Sequence, residues 1–307
     1  MFGSHLSIAG SMLNALREAE SLGLDTVQVF TKNQQQWKAK PLDPAMVRDW
    51  AIEVRRLGWH EGGPGDAKGG GGRIVSHASY LANLASPDDV LWTRSIDLMV
   101  DEIERCEHLA IPFLVHHPGA WTTSDSASGL RRIAQAYRQL LSRTRGAAVV
   151  CCLETTVGAG SQIGGRFDEL AALRAAIIDA TGEPTRLGFC VDSCHVHAAG
   201  YDCSSAAGAA SVLQQFDAAC GMSNVKCVHL NDSKGACGSH LDRHEHVGAG
   251  TLSPRTIKDS GFGPFVNHPH LRGVPKILET PKGTDEKGVA FDAHNLRRLR
   301  RLVLAPG

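Results

Sequence analysis

Six short apolar runs in the sequence end on or beside an imidazole or a carboxylate, and those endings are where chemistry would be done. They carry His77, His117, Glu154, Asp192, His229 and Glu279. Three more donors lie beyond the runs: His195, three residues after Asp192 in LGFCVDSCHVHAAGYD, and Asp242 and His244 in DRHEHVGAG. Nitrogen and oxygen donors without a cysteine suit zinc, manganese or iron, and nine are too many for one ion. Three ions would use them. Asp192 taken alone reads as a helix N-cap followed by a surface histidine. The same ending on five other runs argues instead for one shared pocket.

Charge gives the pocket a purpose. Three divalent ions would bring +6, and Glu154, Asp192, Asp242 and Glu279 would return −4 with neutral imidazoles, leaving +2. Such a pit favours a phosphate diester: closely spaced ions acidify a shared water, clamp non-bridging oxygens and neutralise a leaving alkoxide, so no side-chain nucleophile is needed. Glu154 is the natural bridge, because a carboxylate has two oxygens and its run lies between those bearing His117 and Asp192.

These donors need a scaffold that delivers strand ends to one place. Eight times the chain passes from an apolar run to a segment with helical spacing: Phe2 to Ile8, Thr26 to Phe30, Arg73 to Ala78, Phe113 to Pro118, Ala147 to Thr155, Leu187 to Ser193, Asn224 to Asp232 and Val274 to Thr280. Met46, Trp50, Val54 and Leu57 show the three- and four-residue steps of a helix with one buried face. Eight strand-then-helix units predict an α/β fold, a single closed (β/α)8 TIM barrel over residues 1–307, with a doubly wound open sheet as the alternative. Strand residues two apart share a face, and two places before the donors stand Val75, Val115, Cys152, Cys190, Cys227 and Ile277. Compact side chains below and functional groups above are what the carboxyl end of a barrel requires. The same alternation turns His116 outward, towards the helices.

Lys+Arg and Asp+Glu both number 32, so no bulk field announces nucleic acid, and any such binding rests on local charge. The nine cysteines form no CxxC pair and read as reduced thiols. With no signal-like start and no apolar run of about 18 residues, a cytoplasmic protein with no membrane partner is expected. The glycine-rich stretch 58–73 lacks the GK[ST] of a phosphate loop and is expected as a flexible linker on the far rim. Arg297, Arg298, Arg300 and Arg301 are expected on a solvated helix face.

In order along the chain, GSHLS, FTKNQQQW, SHASYLANL, HHPG, LETTVGAGS, VDSCHVHAAGYD, HLNDSK, DRHEHVGAG and ILET resemble the endonuclease IV family of apurinic/apyrimidinic endonucleases. The resemblance implies a monomeric barrel with three zinc ions, with partial manganese or iron occupancy allowed. It implies cleavage of double-stranded DNA 5′ to abasic sites, leaving a 3′-hydroxyl, and trimming of blocked 3′ ends. His77, His117 and Glu154 would hold the first ion, with Glu154 shared. Asp192, His229 and Glu279 would complete the second, and His195, Asp242 and His244 would hold the third. Tyr80 matches a tyrosine that enters the minor groove at the lesion, its alternative being a core residue. Two departures stand out. Gln35 replaces an arginine that pushes into the base stack, so either lesion grip and strand-bending are weaker or Lys32, Lys38 or Lys40 contributes instead; and ETTVGAG replaces ENTAGQG, losing two amides near the ions. Two other readings fit the same residues less fully: a sugar isomerase or epimerase with one ion, and a DNA-damage binding module with structural metals.

Overall fold

The computed structural model describes residues 1–60, 73–253 and 256–304. Eight parallel strands close into a barrel: β1 (Phe2–His5), β2 (Thr26–Val29), β3 (Ile74–His77), β4 (Phe113–His116), β5 (Val150–Glu154), β6 (Leu187–Asp192), β7 (Val225–His229) and β8 (Lys276–Leu278). Each pairs with its sequence neighbours, and β8 closes on β1 through Phe2 opposite Lys276. The open-sheet alternative is thereby excluded. Every strand is three to six residues long, shorter than the run that contains it. Chain beyond each ladder leaves the sheet to build the rim, which places His117 and Glu279 one residue past their strands.

Helices fill the crossovers, and their starts are written in the sequence. Asp43 caps the helix Pro44–Arg56 with proline at its first position, Asp88 caps Asp89–His108 through the amides of Val90 and Leu91, and Ser205 caps Ala206–Cys220. A short antiparallel ribbon, Asp232–Ser233 with His244–Glu245, folds over the mouth between β7 and β8. No helix among the described residues is long and apolar enough to cross a membrane.

Inside the barrel, Val75, Phe113, Val115, Cys152, Cys190, Cys227 and Ile277 form their own apolar cluster, separate from the larger one between strands and helices. All six residues expected beneath the donors belong to it. His116 does turn outward, its Nε2 lying 2.5 Å from the Tyr137 hydroxyl. The nine cysteines are unpaired, and only Cys237 is exposed. Most of the glycine-rich stretch expected as a linker, residues 61–72, lies outside the described residues; on its two sides the Arg73 amide donates to the Trp59 carbonyl at 3.0 Å. The arginines at 297, 298, 300 and 301 are exposed, although Arg300 is engaged with Gly23 and Asp25.

Candidate metal centre

Glu154, the last residue of β5, is fully buried and stands at the middle of the mouth. Its Oε2 lies 3.1 Å from His77 Nε2 and 3.3 Å from His117 Nε2. Its Oε1 faces the other way, 2.8 Å from His229 Nδ1 and 3.4 Å from His195 Nδ1. Asp192 and His229 are register partners on β6 and β7, which brings their side chains over one spot. Glu279 joins them with Oε2 at 3.1 Å from His229 Nδ1. Asp192 does cap a helix, accepting from the His195 amide at 2.8 Å, but His195 is buried rather than on the surface. The short helix Ser193–Ala198 thus aims the imidazole back at the mouth, where its Nε2 is 3.2 Å from Asp242 Oδ1. His244, on the ribbon, places Nε2 at 3.5 Å from the same oxygen and 3.6 Å from Asp192.

Three donor sets result, each with ligand atoms within 4.8 Å of one another: His77, His117 and Glu154; Glu154, Asp192, His229 and Glu279; and Asp192, His195 and His244. Asp242 flanks the third. Glu154 belongs to two sets, and Asp192 joins the second to the third, a link the sequence did not suggest. Among the described residues, imidazoles are the only basic groups within 4.0 Å of these four carboxylates. Burial would push the Glu154 and Glu279 carboxyls up, yet the neighbouring imidazoles hold both well below the ordinary range. Burial likewise opposes charge on His195, but Asp192 and Asp242 raise it to about 10. Among the described residues no hydrogen bond of good geometry reaches the buried Nε2 atoms of His195 and His244, although both face Asp242 Oδ1. A packed group of donors with orphaned ring nitrogens and no Lys or Arg counter-ion fits divalent metal.

An outer ring of hydrogen bonds fixes the donors, and most of it is invisible to motif reading. Gln28, buried on β2, donates to Glu279 Oε1 at 2.6 Å while its Oε1 lies 2.8 Å from His229 Nε2. Asn231 donates to Asp192 Oδ2 at 2.7 Å and accepts from the Glu279 amide at 2.7 Å. His5, ending β1, sits 3.5 Å from Glu279. A polar residue inside the apolar run TVQVF was the available signal for Gln28. Where ETTVGAG departs from the family pattern, the Thr155 hydroxyl accepts from the Asp192 amide at 2.9 Å, so a local anchor persists. A carboxamide also returns from Gln162, which accepts from the Ala159 amide at 3.2 Å and lines a cleft with His77, His117 and Tyr80.

The rim differs from the floor. Tyr80 is 56 % exposed, its ring 5.0 Å from His77 and 5.7 Å from His117, which rules out the core reading. Gln35 is exposed on a loop beside a cleft of about 1040 Å3 that also borders His5, Tyr80, His244 and Glu279. Lys32 does not substitute for the absent arginine: it is buried, 2.5 Å from Asp101 Oδ2 and 3.7 Å from Glu102 Oε1. Desolvation would be prohibitive without those carboxylates, and they commit it to the scaffold. Lys38 and Lys40 remain exposed.

A strand-closed barrel with clustered donors at its carboxyl mouth defines a class, and the chain matches the model of the xylose isomerase-like TIM barrel family over residues 16–299. Within that class it is 41 % identical to a probable endonuclease 4 of Chloroflexus aurantiacus and 38 % identical to one of Geobacter sulfurreducens, over 98 % of this chain in each case and 98 % and 94 % of the relatives. The crystal structure of endonuclease IV from Thermus thermophilus superposes with a TM-score of 0.80 at 32 % identity, covering 98 % of both chains. The chain belongs to the endonuclease IV family of apurinic/apyrimidinic endonucleases. A D-psicose 3-epimerase shares the fold, with a TM-score of 0.67 at 12 % identity over 98 % of both chains.

Proposed function

We propose that this protein is a DNA-repair endonuclease that hydrolyses the phosphodiester bond 5′ to abasic sites in duplex DNA and leaves a 3′-hydroxyl, using three zinc ions. The observation that carries the reading is Glu154, whose two oxygens face two different donor sets at one barrel mouth. His77, His117 and Glu154 would hold one ion, Glu154, Asp192, His229 and Glu279 a second, and His195, Asp242 and His244 the third. When bound, the ions supply positive charge to the phosphate oxygens and lower the pKa of water. Around them the chain's own groups do the positioning: Gln28 and Asn231 fix the donors, and imidazole neighbours keep the Glu154 and Glu279 carboxylates ionised.

Tyr80 and Gln35 would meet the DNA. Tyr80 presents an aromatic face next to the donors, suited to the gap an absent base leaves in the stack, and Gln35 offers a neutral amide where the duplex backbone passes. The same pocket would trim blocked 3′ ends, and a single chain holds every donor, so a monomer suffices. A sugar-epimerase reading rests on fold likeness alone and leaves His195, Asp242 and His244 without work.

Purified protein should incise a duplex holding one abasic-site analogue and spare the intact duplex. Glu154→Gln, which keeps the shape and removes the charge, should lower incision by more than about a hundredfold, beyond what outer contacts contribute. Equal nicking of both duplexes would refute lesion recognition.

A further inference from the structure

Beneath the donors lies a second group of ligating atoms that the proposed reaction does not use. Cys190 and Cys227 are direct register partners on β6 and β7, both fully buried, and both point into the barrel. Each sits two residues below a donor, Cys190 under Asp192 and Cys227 under His229. One ligand atom from each of Cys190, Cys227 and His229 lies within 4.8 Å of the others. Two thiolates bound to one tetrahedral ion at about 2.3 Å stand roughly 3.8 Å apart, so this spacing needs little adjustment.

We propose that Cys190, Cys227 and His229 form a deep site for a thiophilic divalent cation such as cadmium, borrowing His229 from the second donor set. Charge selects the valence. Two thiols lose their protons to water on binding, and two thiolates with a dication and a neutral imidazole sum to zero, which the apolar layer around Val75, Val115 and Ile277 tolerates. Sulfur ligands select soft metals over the harder oxygen and nitrogen donors above. An ion there competes for His229, making the pair a point of metal poisoning under the centre. The sharing of His229 rests on the proposed metal centre; the thiolate pair itself does not.

A second thiol group could imitate the signal: His197, Asp202 and the exposed Cys237 also bring ligand atoms within 4.8 Å of one another. The test therefore uses the full chain carrying Cys237→Ser, stripped by chelator and titrated with cadmium alone. The thiolate-to-cadmium charge-transfer band in the ultraviolet should grow and saturate at one ion per chain. Cys227→Val should abolish it, and Cys190→Val independently so; valine already fills this layer at Val75 and Val115, and circular dichroism verifies that each variant folds. Cys152→Val, which alters the thiol under Glu154, should leave the band intact. No band in the Cys237→Ser protein, or a band that survives both valine variants, overturns the site. Incision is assayed separately, on the untreated protein before stripping: no incision there would count against the nuclease reading only, and incision there with no band in the stripped, cadmium-titrated protein against this site only.

Discussion

The floor of the mouth and its rim are built to different rules. On the floor, Glu154, Asp192 and His229 are fully buried, and each is tied to neighbours on other strands or, for Asp192, to Asn231 just past β7. On the rim, Tyr80 is mostly exposed, and Gln35 is exposed with its own amide donating to Asn33 two residues away. Floor geometry is fixed by strand register, whereas rim geometry is set by a loop pinned from behind. Arg105 holds that loop by donating to the Thr31 and Lys40 carbonyls, and Glu102 accepts from Thr31 Oγ1 at 2.7 Å and from the Ser79 amide. The loop and Ser79, the residue before Tyr80, thus share one buried carboxylate. Changes on the floor should alter metal and rate; changes on the rim should alter DNA affinity.

Lys32 tests that division most severely, because it is a loop lysine that belongs to the scaffold. Lys32→Gln leaves Glu102 without its cation and should cost about 3 kcal/mol of stability in denaturant unfolding, with little effect on the salt dependence of DNA binding. A reduced salt slope with unchanged stability would move Lys32 to the DNA-facing side. On the floor, Gln28→Leu removes the carboxamide shared by His229 and Glu279. Metal retention against a chelator should weaken about tenfold to a hundredfold while affinity for abasic duplex in the fully loaded state stays level. Unchanged retention would reduce Gln28 to packing.

The smallest effect is expected at Gln35. Restoring a guanidinium with Gln35→Arg should tighten binding to abasic duplex by about tenfold or less and steepen the salt slope by about one phosphate contact, with metal content unaltered. An unchanged slope would show that the loop tip does not reach the backbone.

How much of this was legible follows the same divide. Alternation along strands locates the donors and the compact layer beneath them, because a period of two is local and needs no knowledge of partners. It found Cys152, Cys190 and Cys227 below Glu154, Asp192 and His229. It passed over His5, since Leu6 and Ile8 extend the apolar run and hide where β1 ends. Gln28 and Asn231 were missed for a different reason: their partners Glu279 and Asp192 lie 251 and 39 residues away, and only the closed barrel brings them together. Lys32 was misplaced because a lysine in a polar loop gives no sign of facing Asp101 and Glu102. Tyr80 and Gln35 came from motif resemblance.

Nine donors at one mouth are proposed to hold a trio of divalent ions, and elemental analysis of the purified, unsupplemented protein counts them. Three ions per chain, zinc foremost, is the predicted result. One ion per chain, or none after mild dialysis, would contradict it.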